Sequence, residues 1–248
     1  MWTLGFDTTA ATVTTALMKD DTLVAHYSAS SATSHSTTLL PAIEDMLASA
    51  GINASDLSLI ACSAGPGSFT GVRIGTATAK GLAAPFGTPC VGVSSLEAMA
   101  AVFGEIRGVI CPALNARRGN VYCAFFYSDG DGNVSRLTED DLLPVASLNT
   151  YAEGAVSLCD HESPALYVVG DTTAEISAVL EECNSFTLRR APAMLATPSG
   201  YGAALAGRKQ FLDSGSDAEQ FKEASLAPIY LRKSQAEREL DEKKAQAK

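Results

Sequence analysis

A chain of 248 residues that is 46% hydrophobic and 19% charged can bury a sizeable core, which excludes disorder over most of its length. Its 28 acidic against 18 basic residues leave a net charge of −10, a balance that repels a phosphate backbone and argues against RNA binding by the chain alone. Apolar runs such as Val91 to Val93 are far too short to cross a bilayer, and no basic segment followed by an apolar stretch opens the chain, so a cytoplasmic protein with no membrane partner is expected. Six cysteines are scattered through apolar runs without a C-x-x-C pair and read as buried thiols.

Three short extended runs come first, Trp2 to Phe6, Val13 to Met18 and Thr22 to Ser28, separated by turn-prone residues and predicting a strand meander. From Ser36 the period becomes helical through Leu39, Leu40, Ile43, Met46 and Leu47, closing at Gly51. A strand at Leu57 to Ala64, a small-residue helix at Gly71 to Pro85, a strand at Cys90 to Val93 and a helix at Ser95 to Phe103 follow. After Gly104 the pattern restarts, with strands at Gly108 to Leu114, Asn120 to Tyr127 and Val134 to Leu137, a helix at Ser147 to Leu158, a strand at Ala165 to Val169 and a helix at Thr173 to Glu182. A long helix is expected after Pro198 and a short strand over Leu226 to Leu231. Two unequal copies of one βββαβα plan account for this order: residues 1–104, residues 105–233 with a last helix able to return to the first copy, and a charged tail over 234–248.

The densest motif is Gly65-Pro-Gly-Ser-Phe-Thr-Gly-Val-Arg-Ile-Gly75, bridging a strand and a helix. It either presents backbone N–H groups to an anion, with Ser68 as a contact, or forms a tight turn that lets its helix pack closely on another surface. It lacks the Lys-Ser/Thr ending of a P-loop and the G-x-G-x-x-G spacing of a dinucleotide fold. The small residues after it and the Leu39–Leu47 stripe either make a two-helix docking face or pack on their own sheet. Asp7, Thr8 and Thr9 end the first strand where actin-like ATPases hold phosphate and metal, but Ala10 and Ala11 replace the usual glycine. The matching hairpin, Asn115-Ala-Arg-Arg-Gly-Asn120, carries amides where acids are wanted, leaving Arg117 and Arg118 as candidate phosphate contacts. Arg73, Arg117, Arg118 and Arg232 can each clamp a carboxylate or phosphate, though arginines of this kind more often end in surface salt bridges. The three histidines, His26, His35 and His161, offer neither H-E-x-x-H nor H-x-x-x-H, and Ser68 has no G-x-S-x-G context, so neither a metalloprotease nor a serine hydrolase is expected.

The ordered set Asp7-Thr-Thr, His35 with Leu39-Leu-Pro-Ala-Ile43, Gly65 to Gly75, Val93-Ser-Ser-Leu-Glu97, Ala116 to Tyr122, Gly170-Asp171 and Pro228-Ile-Tyr-Leu-Arg232 resembles the TsaB (YeaZ) family through most of the chain. The resemblance implies an α/β fold of the actin, sugar-kinase and Hsp70 ATPase type with a degenerate nucleotide site. It implies a non-catalytic subunit that works with TsaD and TsaE in transferring threonylcarbamoyl from its adenylate to the adenosine beside the anticodon of tRNA. TsaD holds the H-x-x-x-H metal site that this sequence lacks, so ATP or ADP and a divalent metal fall to the partner subunits and tRNA is met only through the complex. In the family the two N-terminal helices meet TsaD, or a second TsaB in a homodimer, which makes Leu39, Leu40, Ile43, Met46, Leu47, Val72, Thr76, Ala79 and Ala83 the expected partner surface. Asn115 and Asn120 depart from a family pattern that is often acidic there, and the tail after Arg232 has no counterpart in the motif. The competing reading is an actin-like ATPase or small-molecule kinase acting alone, which needs phosphate hairpins richer in acid or glycine than these.

Overall fold

The computed structural model describes residues 1–30, 35–159, 164–171, 173–181 and 183–232. The tail 234–248 and His161 lie outside the described residues. In the first half, β1 (Trp2–Asp7), β2 (Thr12–Lys19) and β3 (Thr22–Ser30) form the antiparallel meander, and β4 (Leu59–Gly65) and β5 (Cys90–Ser94) extend it in parallel, giving the order β3-β2-β1-β4-β5. Parallel neighbours need crossover connections. These are α1 (His35–Ser49), entered from β3, and α2 (Phe69–Ala83), while α3 (Ser95–Ala101) leaves the sheet toward the second half. Ser68 and Ser94 start α2 and α3 as N-caps, accepting from Gly71 and from Leu96 and Glu97.

The second half repeats the plan with β6 (Gly108–Arg117), β7 (Asn120–Cys123), β8 (Phe126–Ser128), β9 (Val134–Arg136), β10 (Asp141–Pro144), α4 (Leu148–Val156), β11 (Ala165–Gly170), α5 (Thr173–Leu180) and β12 (Thr187–Arg190). Its main order, β10-β7-β6-β11-β12, is that of the first sheet. Two strand expectations need correcting. Asn120 to Tyr127 is not continuous but breaks between β7 and β8, and the third strand breaks likewise into β9 and β10, because Phe125 and Thr138 bond each other across the break instead of continuing the ladders. Leu226 to Leu231 is extended but joins no sheet; Ile229 donates to the Ala64 carbonyl at 2.6 Å as the closing segment crosses the edge of the first half.

The closing helix α6 (Gly200–Asp213) returns to the first sheet. Gly200 and Gly207 let it approach until a Cβ at either would collide with β1, β2 or β4, and its apolar side joins Leu59, Val91 and Val93. The opposite face of that sheet buries Leu4, Phe6 and Leu17 against Leu39, Ile43 and Ala79. Between the halves, Leu96, Met99 and Phe103 pack on Ile110, Leu114 and Phe126. Cys62, Cys90, Cys111 and Cys123 are buried, and burial pushes the Cys90 thiol up to about 12. Among the described residues, no helix is long and apolar enough to cross a membrane.

Candidate functional site

The first hairpin carries the residues that an actin-like ATPase would aim at phosphate, and this fold buries them. Asp7 and Thr8 are 0% exposed and Thr9 is 2% exposed. Asp7 Oδ1 accepts from the Thr9 amide at 2.7 Å and the Thr9 hydroxyl at 2.8 Å. The Ser63 hydroxyl faces the carboxyl, yet neither Asp7 Oδ2 nor Ser63 Oγ reaches hydrogen-bond geometry with a partner among the described residues. Burial raises the Asp7 carboxyl above its ordinary value of 3.8, and the hydrogen bonds only partly oppose it.

What covers the hairpin is the glycine-rich turn. A Cβ on Gly71 would fall inside the Thr8 carbonyl oxygen, one on Gly75 would lie 2.7 Å from Thr8 Oγ1, and one on Gly67 would lie 2.6 Å from the Thr9 carbonyl oxygen. Thr8 Oγ1 donates to the Gly71 carbonyl at 2.7 Å, and the Ser68 amide donates to the Thr9 carbonyl at 2.8 Å. The Ser68 and Gly71 amides at the start of α2 are thus directed at protein oxygen, and the glycines serve close approach of α2 to the hairpin. Asp7, Thr8 and Thr9 are not presented to a ligand in this conformation. Ser68 is exposed, with its Oγ accepting from the Gly71 amide at 3.3 Å.

The docking set is placed equally plainly. Leu39, Ile43, Met46, Leu47, Val72, Thr76, Ala79 and Ala83 are all buried inside the chain's own core, because that stripe covers β1, β2 and β4. The expectation that they form a surface is corrected for these eight; Leu40, at 43% exposed, is the one that faces outward. The outward side of α2 instead carries Arg73, Ala77, Gly81 and Ala84, continuing to Phe86 at 52% exposed. Sequence periodicity marked the helices and could not say which side the sheet would take.

The second hairpin turns through three successive left-handed residues, Arg117 at φ 64, Arg118 at φ 57 and Gly119 at φ 72. Asn115 Oδ1 accepts from the Arg117 amide at 2.7 Å, and Asn120 Nδ2 donates to the Arg117 and Arg118 carbonyls at 3.4 and 3.1 Å. The two amides therefore hold the turn, and a carboxylate at 120 could not donate in this way. Arg117 and Arg118 are exposed. Neither they nor Arg73 and Arg232 pair with a carboxylate among the described residues, against the salt bridges expected of them; Arg73 Nε donates to the Tyr230 hydroxyl at 2.9 Å and Arg232 Nη1 to the Ala116 carbonyl at 2.7 Å. His35 opens α1 with Nε2 2.7 Å from the Ala10 carbonyl. Among the described residues no three His, Cys, Asp or Glu side chains converge as metal ligands.

Two sheets of equal strand order, each with a hairpin at the head of its first strand, define the actin-like ATPase and sugar-kinase class. A ROK hexokinase from Thermus thermophilus shares it at a TM-score of 0.50 and 16% identity, covering 85% of this chain and 99% of that one. YeaZ from Pseudomonas aeruginosa superposes at a TM-score of 0.72 with 23% identity, covering 93% of this chain and 99% of its own. A family model described as "TsaD: tRNA N6-adenosine threonylcarbamoyltransferase" matches residues 23–240. The tRNA threonylcarbamoyladenosine biosynthesis protein TsaB of Bacillus subtilis is 35% identical over 173 residues, 70% of this chain and 72% of that protein. The protein of the same name from Escherichia coli is 37% identical over 131 residues, spanning 52% of this chain and 56% of its own length. The chain belongs to this TsaD-related group and, within it, to the TsaB (YeaZ) family.

Proposed function

We propose that this chain is a non-catalytic subunit in the synthesis of threonylcarbamoyladenosine on tRNA, working with a TsaD partner and TsaE and meeting tRNA only inside that complex. The supporting observation is the first hairpin: Asp7, Thr8 and Thr9 are buried under the chain's own α2, with Gly71 against Thr8, which favours packing over a nucleotide contact there. The sequence also has no H-x-x-x-H pair, which supports assigning the divalent metal to a partner subunit.

Docking runs through the outward side of α1 and the C-terminal part of α2 with the turn after it, from Ala77 to Phe86. Gly81 supports this assignment: it is exposed in the last turn of α2, costs up to about 1 kcal/mol against alanine, and a Cβ there would meet nothing within 4 Å in this fold. A glycine with no internal use suits the close approach of a partner helix. The test is size-exclusion chromatography with light scattering of this chain, alone and mixed with TsaD of the same organism, using wild type, Leu40→Glu and Gly81→Arg. A co-migrating complex weakened by either variant is expected. Failure of the wild type to co-migrate with TsaD, also with TsaE, ATP and magnesium present, refutes the subunit role, and isothermal titration with ATP then tests the lone-enzyme alternative.

A further inference from the structure

Four of the arginines that pair with no carboxylate among the described residues, Arg73, Arg117, Arg118 and Arg232, are gathered at one seam; Arg189 and Arg190, also without such a partner, lie apart on β12. The closing segment after α6 crosses from the first half to the second, and along it Tyr230 stacks on Phe69 with ring centres 4.8 Å apart and planes 15° apart. The Arg73 guanidinium lies 5.8 Å from the Tyr230 ring centre, and Arg232, two residues on, holds the Ala116 carbonyl that directly precedes Arg117. The seam therefore runs from Arg73 over an aromatic ring to Arg232 and on to Arg117 and Arg118. The left-handed turn, pinned by Asn115 and Asn120, holds the last two outward into solvent.

Elsewhere the protein neutralises much of its positive charge: Arg107, Arg136, Arg208, Lys209 and Lys222 each pair with a carboxylate. The carboxylate placed beside the hairpin, Asp171, accepts from the Asn115 amide at 2.7 Å and makes no ion pair with the arginines. Four guanidinia with no carboxylate partner among the described residues concentrate positive charge on a chain of net charge −10, felt within about a Debye length of 8 Å.

We propose that this seam is the surface through which the protein contacts the phosphate backbone of tRNA within the modifying complex, an inference that rests on the function proposed above. Guanidinium forks suit phosphate oxygens, and the interleaved ring of Tyr230, 42% exposed, suits a ribose or an unstacked base. The overall negative charge explains why the contact needs a partner: the seam orients RNA that another subunit holds.

The experiment measures binding of a labelled tRNA transcript carrying the target adenosine to the reconstituted complex, by anisotropy across a salt series. Wild type is compared with Arg117→Gln/Arg118→Gln, Arg232→Gln and, as control, Arg189→Gln on the far edge strand. Complex formation is followed in parallel by light scattering. The double variant is expected to assemble normally, bind tRNA about tenfold more weakly and lower the log–log salt slope by about two, with Arg189→Gln unchanged. Normal assembly with unaltered affinity and slope overturns the seam while leaving the subunit role intact. Loss of assembly in the double variant also overturns it, assigning the arginines to an acidic protein partner. Failure of wild type to assemble removes both proposals.

Discussion

Replacing Gly71 by alanine should destabilise the protein even though it puts a better helix former into the first turn of α2. The new methyl would occupy the Thr8 carbonyl oxygen, a backbone atom that cannot swing aside, so α2 must lift from the hairpin. Overpacking of this kind costs about 1–3 kcal/mol, and lifting the helix stretches the buried 2.7 Å bond from Thr8 Oγ1 to the Gly71 carbonyl, leaving groups whose desolvation costs about 1–3 kcal/mol more. The gain in helix propensity is about 1 kcal/mol at most. The net expectation is a loss of about 1–5 kcal/mol, with Tm falling about 2–4 °C per kcal/mol for a chain of this size. Gly81→Ala in the same helix provides the contrast: with nothing within 4 Å of its Cβ, it should stabilise by up to about 1 kcal/mol. Urea and thermal unfolding of both variants check the pair. If Gly71→Ala is as stable as wild type, or Gly81→Ala loses as much, the conclusion that the glycine-rich turn exists to seal the hairpin is wrong.

Asp7 makes a pH-dependent prediction. A buried carboxyl raised above 3.8 holds a proton in the folded state that the unfolded state has released, so its contribution is fully favourable below the unfolded value and declines as pH rises toward the folded one. Asp7→Asn keeps an acceptor for the Thr9 amide and removes the titration. It should raise Tm near neutral pH and flatten the decline, and a variant less stable at neutral pH with the slope unchanged would count against burial raising the Asp7 carboxyl. A further prediction concerns the joint between the halves, where Arg136 Nη1 pairs with Asp140 at 2.6 Å and Nη2 with Glu97 at 3.3 Å, while Ser94 Oγ donates to Asp140 at 2.5 Å. Arg136→Met should cost about 1–3 kcal/mol by leaving partly buried carboxylates unpaired, and adding Asp140→Asn should recover part of it; strictly additive losses in urea unfolding would refute the coupling.

Period and punctuation made most of the element order, the doubled plan and the glycine-rich turn between β4 and α2 legible, because strand alternation, helix caps and turn glycines are local properties of the chain, while the family came from the resemblance of its ordered motifs. No element was expected over Asp141–Pro144, whose strand character comes from its pairing with β7 and not from a local pattern. Which side of α1 and α2 faces solvent, whether the glycines cradle an anion or a carbonyl, and that Arg73, Arg232 and Arg117 share one seam were decided only by tertiary structure. Each of these depends on contacts between segments far apart in the chain, as between Thr8 and Gly71 or Arg73 and Tyr230, and such distances leave no periodic trace in the sequence.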